Sequence, residues 1–232
     1  AAVNASAATV GPVIPPSIPF VIYGGITGVS VGRLFLGGVV PGVLMGVFLM
    51  GAVYWVAKRR GYRAEGWPRL SDALTSIWRA IPVMLFPVII LGGIFSGVVT
   101  PTEAAVVAVV YAVLLATLFY RELTPRELVQ VLTSVAGNTA KITFIIASAG
   151  LYGWLLAREG APQRLADLFL GVSQEPWAIL LMVNALLLVL GCLMETTALL
   201  VILTPVLMDL ITKVGIDPVH FGVVLTLNLM IG

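Results

Sequence analysis

The stretch GPVIPPSIP, from Gly11 to Pro19, is the sequence feature that most constrains the fold. It places four prolines and a glycine inside an apolar segment with the character of a membrane span. Each proline removes a backbone donor, clashes with the carbonyl four residues earlier and disfavours helical geometry at the preceding residue. Unwound backbone at membrane depth persists only inside protein or beside a wet cavity, because each unsatisfied group costs several kcal/mol in lipid. The stretch therefore predicts a broken helix around Gly11–Ser17 and the first candidate binding site.

Composition sets the class of protein. The chain is 59% hydrophobic and only 10% charged, whereas soluble domains carry about 25% charged residues. We therefore expect an all-α polytopic integral membrane protein. The formal net charge of +2 is too small to indicate nucleic-acid binding. The single cysteine, Cys192, lies in an apolar run, which predicts a buried, inert thiol and no disulfide within the chain.

Apolar runs and charged loops divide the chain into five segments. Both ends lie inside apolar elements, so we expect a fragment of a longer membrane protein. The segments are a broken transmembrane helix (1–23), a span with a basic loop and an interfacial helix at 71–80 (24–80), two spans with a second interfacial helix at 123–136 (81–136), a span with an external loop (137–176), and a re-entrant hairpin with the start of a second broken helix (177–232).

The strongest positive patch sets the orientation in the membrane. Lys58, Arg59, Arg60 and Arg63 directly follow the apolar run that begins at residue 34. Cationic loops are retained on the cytoplasmic side, so this loop is predicted to be cytoplasmic. Binding of lipid headgroups by the same patch is the alternative interpretation.

Two short motifs predict helix starts. TPTE and TPRE each place Thr at the N-cap, Pro at the first helical position and Glu at the third. This is the pattern of a capping box, in which the threonine and the glutamate satisfy each other's backbone N–H groups. We therefore assign Thr100 with Glu103, and Thr124 with Glu127, to helix caps; a proton-relay role for Glu103 is the alternative.

The second informative region is GCLMETT, residues 191–197. Glu195 is flanked on both sides by long uncharged runs. An ionisable residue that deep in an apolar segment indicates a functional site. We expect a re-entrant hairpin with its tip near Glu195–Thr197. A single kinked span with Glu195 in a structural hydrogen bond is the alternative.

The topology relates the two ends of the chain. Counting from the cytoplasmic patch, residues 1–23 run outward and residues 219–232 run inward. A polar stretch precedes a glycine in each: Asn4 comes before Gly11, and Asn228 comes before Gly232. The second segment is therefore expected to be an inverted copy of the first. Inverted repeats with discontinuous helices are typical of secondary transporters.

Three long motifs resemble one family. NASAATVGPVIPPSIPFVIYG (4–24), GGIFSGVVTPTEAAVVAVVYA (92–112) and GCLMETTALLVILTPVL (191–207) resemble the DctM-type large membrane subunit of TRAP, the tripartite ATP-independent periplasmic transporters. The resemblance implies an elevator-type secondary transporter in a bacterial or archaeal cytoplasmic (inner) membrane. It also implies a small DctQ-type integral membrane subunit, a periplasmic substrate-binding protein and sodium-driven import of a small carboxylate such as a C4-dicarboxylate or sialic acid.

Carried onto this sequence, the resemblance places ion and substrate contacts at the first break and at the hairpin tip. No cofactor is implied beyond Na⁺ as the coupling ion, for which Asn4, Ser6, Gly11, Glu195 and Thr197 are the candidate ligands. The full set of candidates is Asn4, Ser6, Gly11, Pro15, Pro16, Ser17, Glu195, Thr196 and Thr197.

Three other functions compete with this hypothesis. An intramembrane enzyme would need paired carboxylates, a nucleophile with a base or a metal cluster, and the chain offers one His and one Cys. A channel would show a pore-lining repeat suited to several identical subunits. A proton-coupled carboxylate symporter working without a binding protein is the main alternative, because Glu195 could carry a proton.

Overall fold

The computed structural model describes residues 2–61 and 70–232, without the side chains of Ala2, Ala5, Leu70, Asp72 and Ala73. The regular structure in these ranges is helical. In chain order the helices are α1 (Ala2–Ala8), α2 (Ile18–Thr27), α3 (Val31–Arg60), α4 (Leu70–Phe95), α5 (Pro101–Leu114), a π-helical turn (Leu115–Phe119), α6 (Pro125–Arg158), α7 (Ala161–Val172), α8 (Pro176–Gly191), α9 (Thr196–Lys213) and α10 (Pro218–Ile231).

Helix length and apolarity confirm the polytopic membrane class. Within the described residues, five helices are long and apolar enough to cross a bilayer, in α3, α4, α5 with the π-helical turn, α6 and α9. Helices α2 and α8 are apolar but have only 10 and 16 residues. At about 1.5 Å per residue they fall short of a hydrocarbon core of about 30 Å. Half-length apolar helices are the pieces that a discontinuous span would need.

The chain divides into two compact units. One comprises Leu44–Thr133, and the other combines Ala2–Val43 with Ser134–Gly232. The candidate residues of the first break and of the hairpin tip all belong to the second unit.

In the first unit, α4 packs against α5 through small side chains. Ala104 and Ala108 are almost fully buried against Ile90. Thr100 begins α5 with the predicted capping box: its backbone N–H donates to Glu103 Oε2 at 2.7 Å, and Glu103 N–H donates to Thr100 Oγ1 at 3.3 Å.

The second predicted capping box is also confirmed. Thr124 N–H donates to Glu127 Oε2 at 2.8 Å, and Glu127 N–H donates to Thr124 Oγ1 at 3.3 Å, at the start of α6. In both boxes the glutamate is bound to the start of its own helix, which explains the motif without a proton-relay role.

In the second unit, glycines let helices approach closely. A Cβ at Gly222 of α10 would lie 2.4 Å from Tyr23 Cε1 and 2.9 Å from a methyl group of Leu34. The Tyr23 hydroxyl donates to the Pro218 carbonyl at 2.7 Å, so the same tyrosine also ties α2 to the start of α10. Close packing and a buried hydrogen bond thus fix α2, α3 and α10 against one another.

The ends of α9 and α10 follow the sequence. Lys213 Nζ and Asp209 Oδ2 form an ion pair at 2.8 Å, one helical turn apart, as the i, i+4 spacing of opposite charges favours. Asp217 caps α10, because its Oδ1 accepts the N–H groups of Val219 and His220. His220 is exposed in that first turn.

Several element boundaries differ from the sequence prediction. The predicted interfacial helix at 71–80 is continuous with the following span in α4, although that helix contains Pro82 and Pro87. The predicted helix at 123–136 is likewise continuous with its span in α6. An isolated glycine such as Gly137 costs a helix only about 1 kcal/mol, so the apolar pattern carries the helix through it. The predicted external loop contains a further helix, α7, which buries Pro162 and Ala166.

The basic residues that were predicted to set topology lie at the end of α3. Lys58, Arg59 and Arg60 form its last turn, where cations also complement the partial negative charge of the helix terminus. The Arg59 guanidinium lies 4.1 Å from the ring centre of Trp55. Arg63 lies outside the described residues.

The glycine packing gives a test of the second unit. We expect Gly222→Ala to destabilise the protein by about 1–3 kcal/mol, because the new methyl group overlaps Tyr23 and Leu34. Gly46→Ala in α3 is the matched control: no atom lies within 4 Å of its Cβ position, so it should be neutral or stabilising by up to about 1 kcal/mol. Denaturation followed by circular dichroism checks both. Equal effects of the two variants would contradict the packing.

Candidate functional site

Ser17 organises the break between α1 and α2. It is only 2% exposed and forms the N-cap of α2. Its Oγ donates to the Pro12 carbonyl and accepts the Phe20 N–H at 3.3 Å. The hydroxyl therefore satisfies one backbone group inside the break, the Pro12 carbonyl, and one in the first turn of α2, the Phe20 N–H, neither of which has a regular helical partner.

The unwound segment lies against a glycine face of α3. A Cβ at Gly38 would lie 2.8 Å from the Val13 carbonyl oxygen and 2.5 Å from the Phe20 ring. A Cβ at Gly42 would lie 2.6 Å from Ile14. Only glycine at these two positions allows the break to approach α3 so closely.

The remaining candidates at the break differ in exposure. Asn4 and Ser6 are exposed on α1, and the Ser6 carbonyl accepts the Thr9 hydroxyl at 2.8 Å. Gly11 and Pro16 are exposed, whereas Pro15 is buried, and the Pro15–Pro16 peptide bond is cis. The amide of Asn4 and the backbone at Gly11 are thus accessible, whereas the Ser17 hydroxyl is already bonded.

The hairpin tip is a turn of residues 192–195 between α8 and α9. Glu195 is the N-cap of α9, and its Oε2 accepts the Ala198 N–H at 2.9 Å. Its side chain is exposed, and Thr196 and Thr197 beside it are half-buried. Glu195 therefore has a structural hydrogen bond and an accessible carboxylate at the same time.

The tip is held against the last turn of α10. Thr196 Oγ1 donates to the Leu229 carbonyl at 3.2 Å. A Cβ at Gly191, the last residue of α8, would lie 3.2 Å from the Gly232 Cα. The carboxyl end of α8, the start of α9 and the last turn of α10 consequently meet at one point.

An asparagine pair joins α8 and α10 behind the tip. Asn228 Nδ2 donates to Asn184 Oδ1 at 2.6 Å and to the Asn184 carbonyl at 3.3 Å. Asn228 Oδ1 and Thr226 Oγ1 are buried without a hydrogen-bond partner. Sequence analysis noted Asn228 but missed Asn184, although an asparagine inside the run AILLMVNALLLVL was a usable signal.

The two groups of candidates lie against different helices. The break lies on α3 and the tip lies on α10. Among the hydrogen bonds of the described residues, none joins Asn4, Ser6 or Ser17 to the tip. Within the same ranges, no group of three or more His, Cys, Asp or Glu side chains is placed to hold a metal ion. The tip instead offers oxygen atoms from one carboxylate, that of Glu195, from the hydroxyl groups of Thr196 and Thr197, and from the carbonyls at the end of α8.

The prediction for Cys192 was wrong. The thiol is exposed rather than buried. The apolar run in which it lies does not continue as one helix: α8 ends at Gly191, so Cys192 is the first residue of the turn.

Comparison with known proteins identifies one family. The family model described as "Tripartite ATP-independent periplasmic transporter, DctM component" matches residues 1–232. The sialic acid TRAP transporter large permease protein SiaM of Vibrio cholerae is 44% identical over 229 residues, which cover 99% of this chain and 54% of that protein.

Two further relatives carry different substrate names. The isethionate TRAP transporter permease protein DctMQ of Oleidesulfovibrio alaskensis is 42% identical over 233 residues, covering 100% of this chain and 37% of that protein. The C4-dicarboxylate TRAP transporter large permease protein DctM of Pseudomonas aeruginosa is 41% identical over 232 residues, covering 100% of this chain and 54% of that protein. The chain thus spans about half the length of the two large permease proteins and 37% of DctMQ.

The hydrogen bonds between Asn184 and Asn228 give a prediction about how strongly α8 and α10 are held together. Asn184→Ala should cost about 0.6–2 kcal/mol, because it removes the shorter of the two hydrogen bonds of Asn228 Nδ2 and leaves only the 3.3 Å bond to the backbone carbonyl of residue 184. The double variant Asn184→Leu with Asn228→Leu should cost less than the sum of its single variants, since no polar group is then left alone. Asn138→Ala, at an exposed position on α6, is the control and should change stability by less than about 0.5 kcal/mol. A strictly additive cycle would show that the pair does not couple the helices.

Proposed function

Because the chain belongs to the DctM component family of the tripartite ATP-independent periplasmic transporters, we propose that it forms part of the large transmembrane subunit of a sodium-coupled, binding-protein-dependent importer. The relatives compared above are named as transporter permeases, and the fold is that of a multi-pass membrane protein of the inner membrane. An inverted-repeat, elevator-type transporter is the architecture that we propose for the full-length protein.

The proposed substrate is a small carboxylated solute. Two of the relatives are named for carboxylates, sialic acid and C4-dicarboxylates, and the third is named for isethionate, a sulfonate, so all three names refer to small organic anions. An anion cannot enter a low-dielectric interior without a compensating charge. A coupling cation that binds close by would supply that charge.

The geometry of the hairpin tip is the observation that carries the proposal. An accessible carboxylate at Glu195, the hydroxyls of Thr196 and Thr197, and the carbonyl end of α8 at Gly191 lie within one short stretch of chain. Carboxylate, hydroxyl and carbonyl oxygens are hard ligands, which suit a small, hard cation. The carboxyl terminus of α8 adds partial negative charge and the amino terminus of α9 adds partial positive charge, so the net charge of the turn is that of Glu195.

Coupling follows from electrostatics. Without Na⁺, the tip presents negative charge to an anionic substrate, and the two repel. With Na⁺ bound, the repulsion is removed and the substrate gains a nearby cation. Accessible groups at the break, Asn4 and the backbone at Gly11, would complete the ion and substrate contacts. Substrate then binds well only after the ion, which is the requirement for symport.

The proposed partners are those of a tripartite system. A periplasmic substrate-binding protein delivers the carboxylate, and a small integral membrane subunit of the DctQ type accompanies the large subunit. One relative, DctMQ, is a single permease protein in which this chain covers only 37% of the length.

Uptake into proteoliposomes tests the proposed function. The full-length protein with its small subunit is reconstituted, and accumulation of labelled sialic acid and succinate is measured under an imposed sodium gradient, with and without the binding protein. Accumulation that requires both sodium and the binding protein supports the proposal. Accumulation driven by a pH gradient alone, without either, would favour the proton-coupled symporter instead.

Substitution of the tip carboxylate gives a sharper prediction. Glu195→Gln keeps an oxygen acceptor for the Ala198 N–H but removes the charge. We expect the sodium concentration for half-maximal uptake to rise about tenfold or more, with uptake recovering at high sodium, because one ligand charge is lost.

The matched control is Glu175→Gln. Glu175 also precedes a helix, α8, is exposed and makes no side-chain cap bond. It should leave the sodium dependence unchanged. If Glu195→Gln shifts the sodium dependence no more than this control does, Glu195 is a helix cap and not an ion ligand.

A further inference from the structure

An apolar groove lies between α4 and α5 in the unit Leu44–Thr133. Its volume is about 560 Å³, within the range of small-molecule sites. Val83, Phe86 and Pro87 of α4 form one wall, and Ala112 and Ala116 lie opposite. None of these residues belongs to the break or to the hairpin tip, so the groove and the proposed transport site share no residue.

The groove results from how the two helices pack. Ala104 and Ala108 fill the contact with α4 beside Ile90. The same face of α5 continues one and two turns later as Ala112 and Ala116, whose methyl groups are too small to reach α4 there. The helices therefore touch closely at one end and leave a gap at the other.

Two tyrosine hydrogen bonds hold the gap in place. The Tyr111 hydroxyl donates to the Pro82 carbonyl at 2.7 Å. The Tyr120 hydroxyl donates to the Arg79 carbonyl at 3.0 Å. Each bond runs from the α5 side to the backbone of α4, so the spacing of the groove walls is fixed by polar contacts.

A π-helical turn forms the open end of the groove. Residues Leu115–Phe119 adopt this wider helix, which is rare and frequently marks functional sites. The chain then leaves the helix at Arg121, whose φ of 54° lies in the left-handed region. That conformation costs a residue other than glycine roughly 1–2 kcal/mol.

Charged residues lie near this end of the groove. Glu122 lines the groove together with Tyr120, and Arg121 lies between them in the chain. Arg79, whose carbonyl accepts Tyr120, and Arg126, in the first turn of α6, add two further cations. Glu127 keeps its negative charge while it is bonded in the Thr124 cap, so the three arginines named here exceed the two carboxylates, Glu122 and Glu127, by one positive charge.

An apolar groove on membrane-spanning helices with cations at one end matches an amphiphile that carries an anionic head. We propose that the groove binds a membrane phospholipid, with one acyl chain between α4 and α5 and the phosphate held by Arg79 and Arg121. The acyl chain fills space that water would occupy unfavourably, since the walls offer it few hydrogen bonds. Arginine is suited to the head because its guanidinium can contact two phosphate oxygens at once.

Native mass spectrometry of the full-length protein with its small subunit tests the proposal. Delipidated complex is titrated with palmitoyl-oleoyl phosphatidylglycerol and, in parallel, with palmitoyl-oleoyl glycerol, which has the same acyl chains but no phosphate. We expect one tightly bound phosphatidylglycerol, at least about tenfold tighter than the neutral lipid. Equal binding of the two would overturn the role of the phosphate.

Two variants locate the binding. Ala116→Phe fills the groove and should weaken phosphatidylglycerol binding about tenfold or more. Val109→Phe adds a comparable ring at an exposed position on the same helix, does not line the groove and should leave binding unchanged. Retention of the tight site in Ala116→Phe would place the lipid elsewhere and overturn the proposal.

A third variant, Arg121→Gly, tests the head site without adding volume to the groove. Glycine adopts the positive φ without cost, so this variant should fold at least as stably as the original protein while losing preference for phosphatidylglycerol over the neutral lipid. An unchanged preference in Arg121→Gly and Arg79→Ala would contradict the proposed head site. If Ala116→Phe releases the small subunit and leaves lipid binding intact, the groove is a protein interface and the proposal is wrong.

Discussion

The need to satisfy backbone hydrogen-bonding groups away from water governs this structure. A proline-rich break inside an apolar chain leaves carbonyls and N–H groups without helical partners, and each costs several kcal/mol in a bilayer. One buried hydroxyl, that of Ser17, bonds to the Pro12 carbonyl inside the break and to the Phe20 N–H in the first turn of α2, and turn hydrogen bonds such as that from the Ile14 N–H to the Val10 carbonyl satisfy further groups. The same requirement explains Glu195, which caps α9 where the hairpin interrupts the helix. Both interruptions are therefore built features, each with a side chain that stabilises it.

Glycine makes the second unit compact enough to hold these interruptions. Gly38 and Gly42 give the break a flat surface on α3, Gly222 admits Tyr23, and Gly191 allows the tip to reach the last turn of α10. Any side chain at Gly38, Gly42 or Gly222 would collide with a neighbour. The break and α10 can therefore occupy their positions only because these three residues have no side chain. Rigid placement of this kind is what an ion site needs, because selectivity depends on ligand distances held within a few tenths of an ångström.

The sequence was informative where one residue type has one physical consequence. Prolines 12, 15, 16 and 19 predict the break, and the two Thr-Pro-x-Glu motifs predict the starts of α5 and α6, because proline geometry and capping are local effects. The continuity of α4 and α6 was not predictable in this way, since α4 continues through Pro82 and Pro87 and α6 through Gly137, residues that often end a helix. The exposure of Cys192 and the cap formed by Glu195 depend on where α8 ends, and glutamate is not a usual N-cap residue. The Asn184–Asn228 pair joins residues 44 positions apart, a distance over which periodicity carries no information.

We propose that the turn between α8 and α9 binds sodium. Hydrogen–deuterium exchange of the full-length protein in detergent, compared in sodium and in potassium at equal ionic strength, detects such binding. We expect sodium, but not potassium, to slow exchange at the amides of residues 192–198, including the Ala198 N–H that is bonded to Glu195. Equal exchange in the two salts at these amides, or sodium protection confined to other helices, would contradict it.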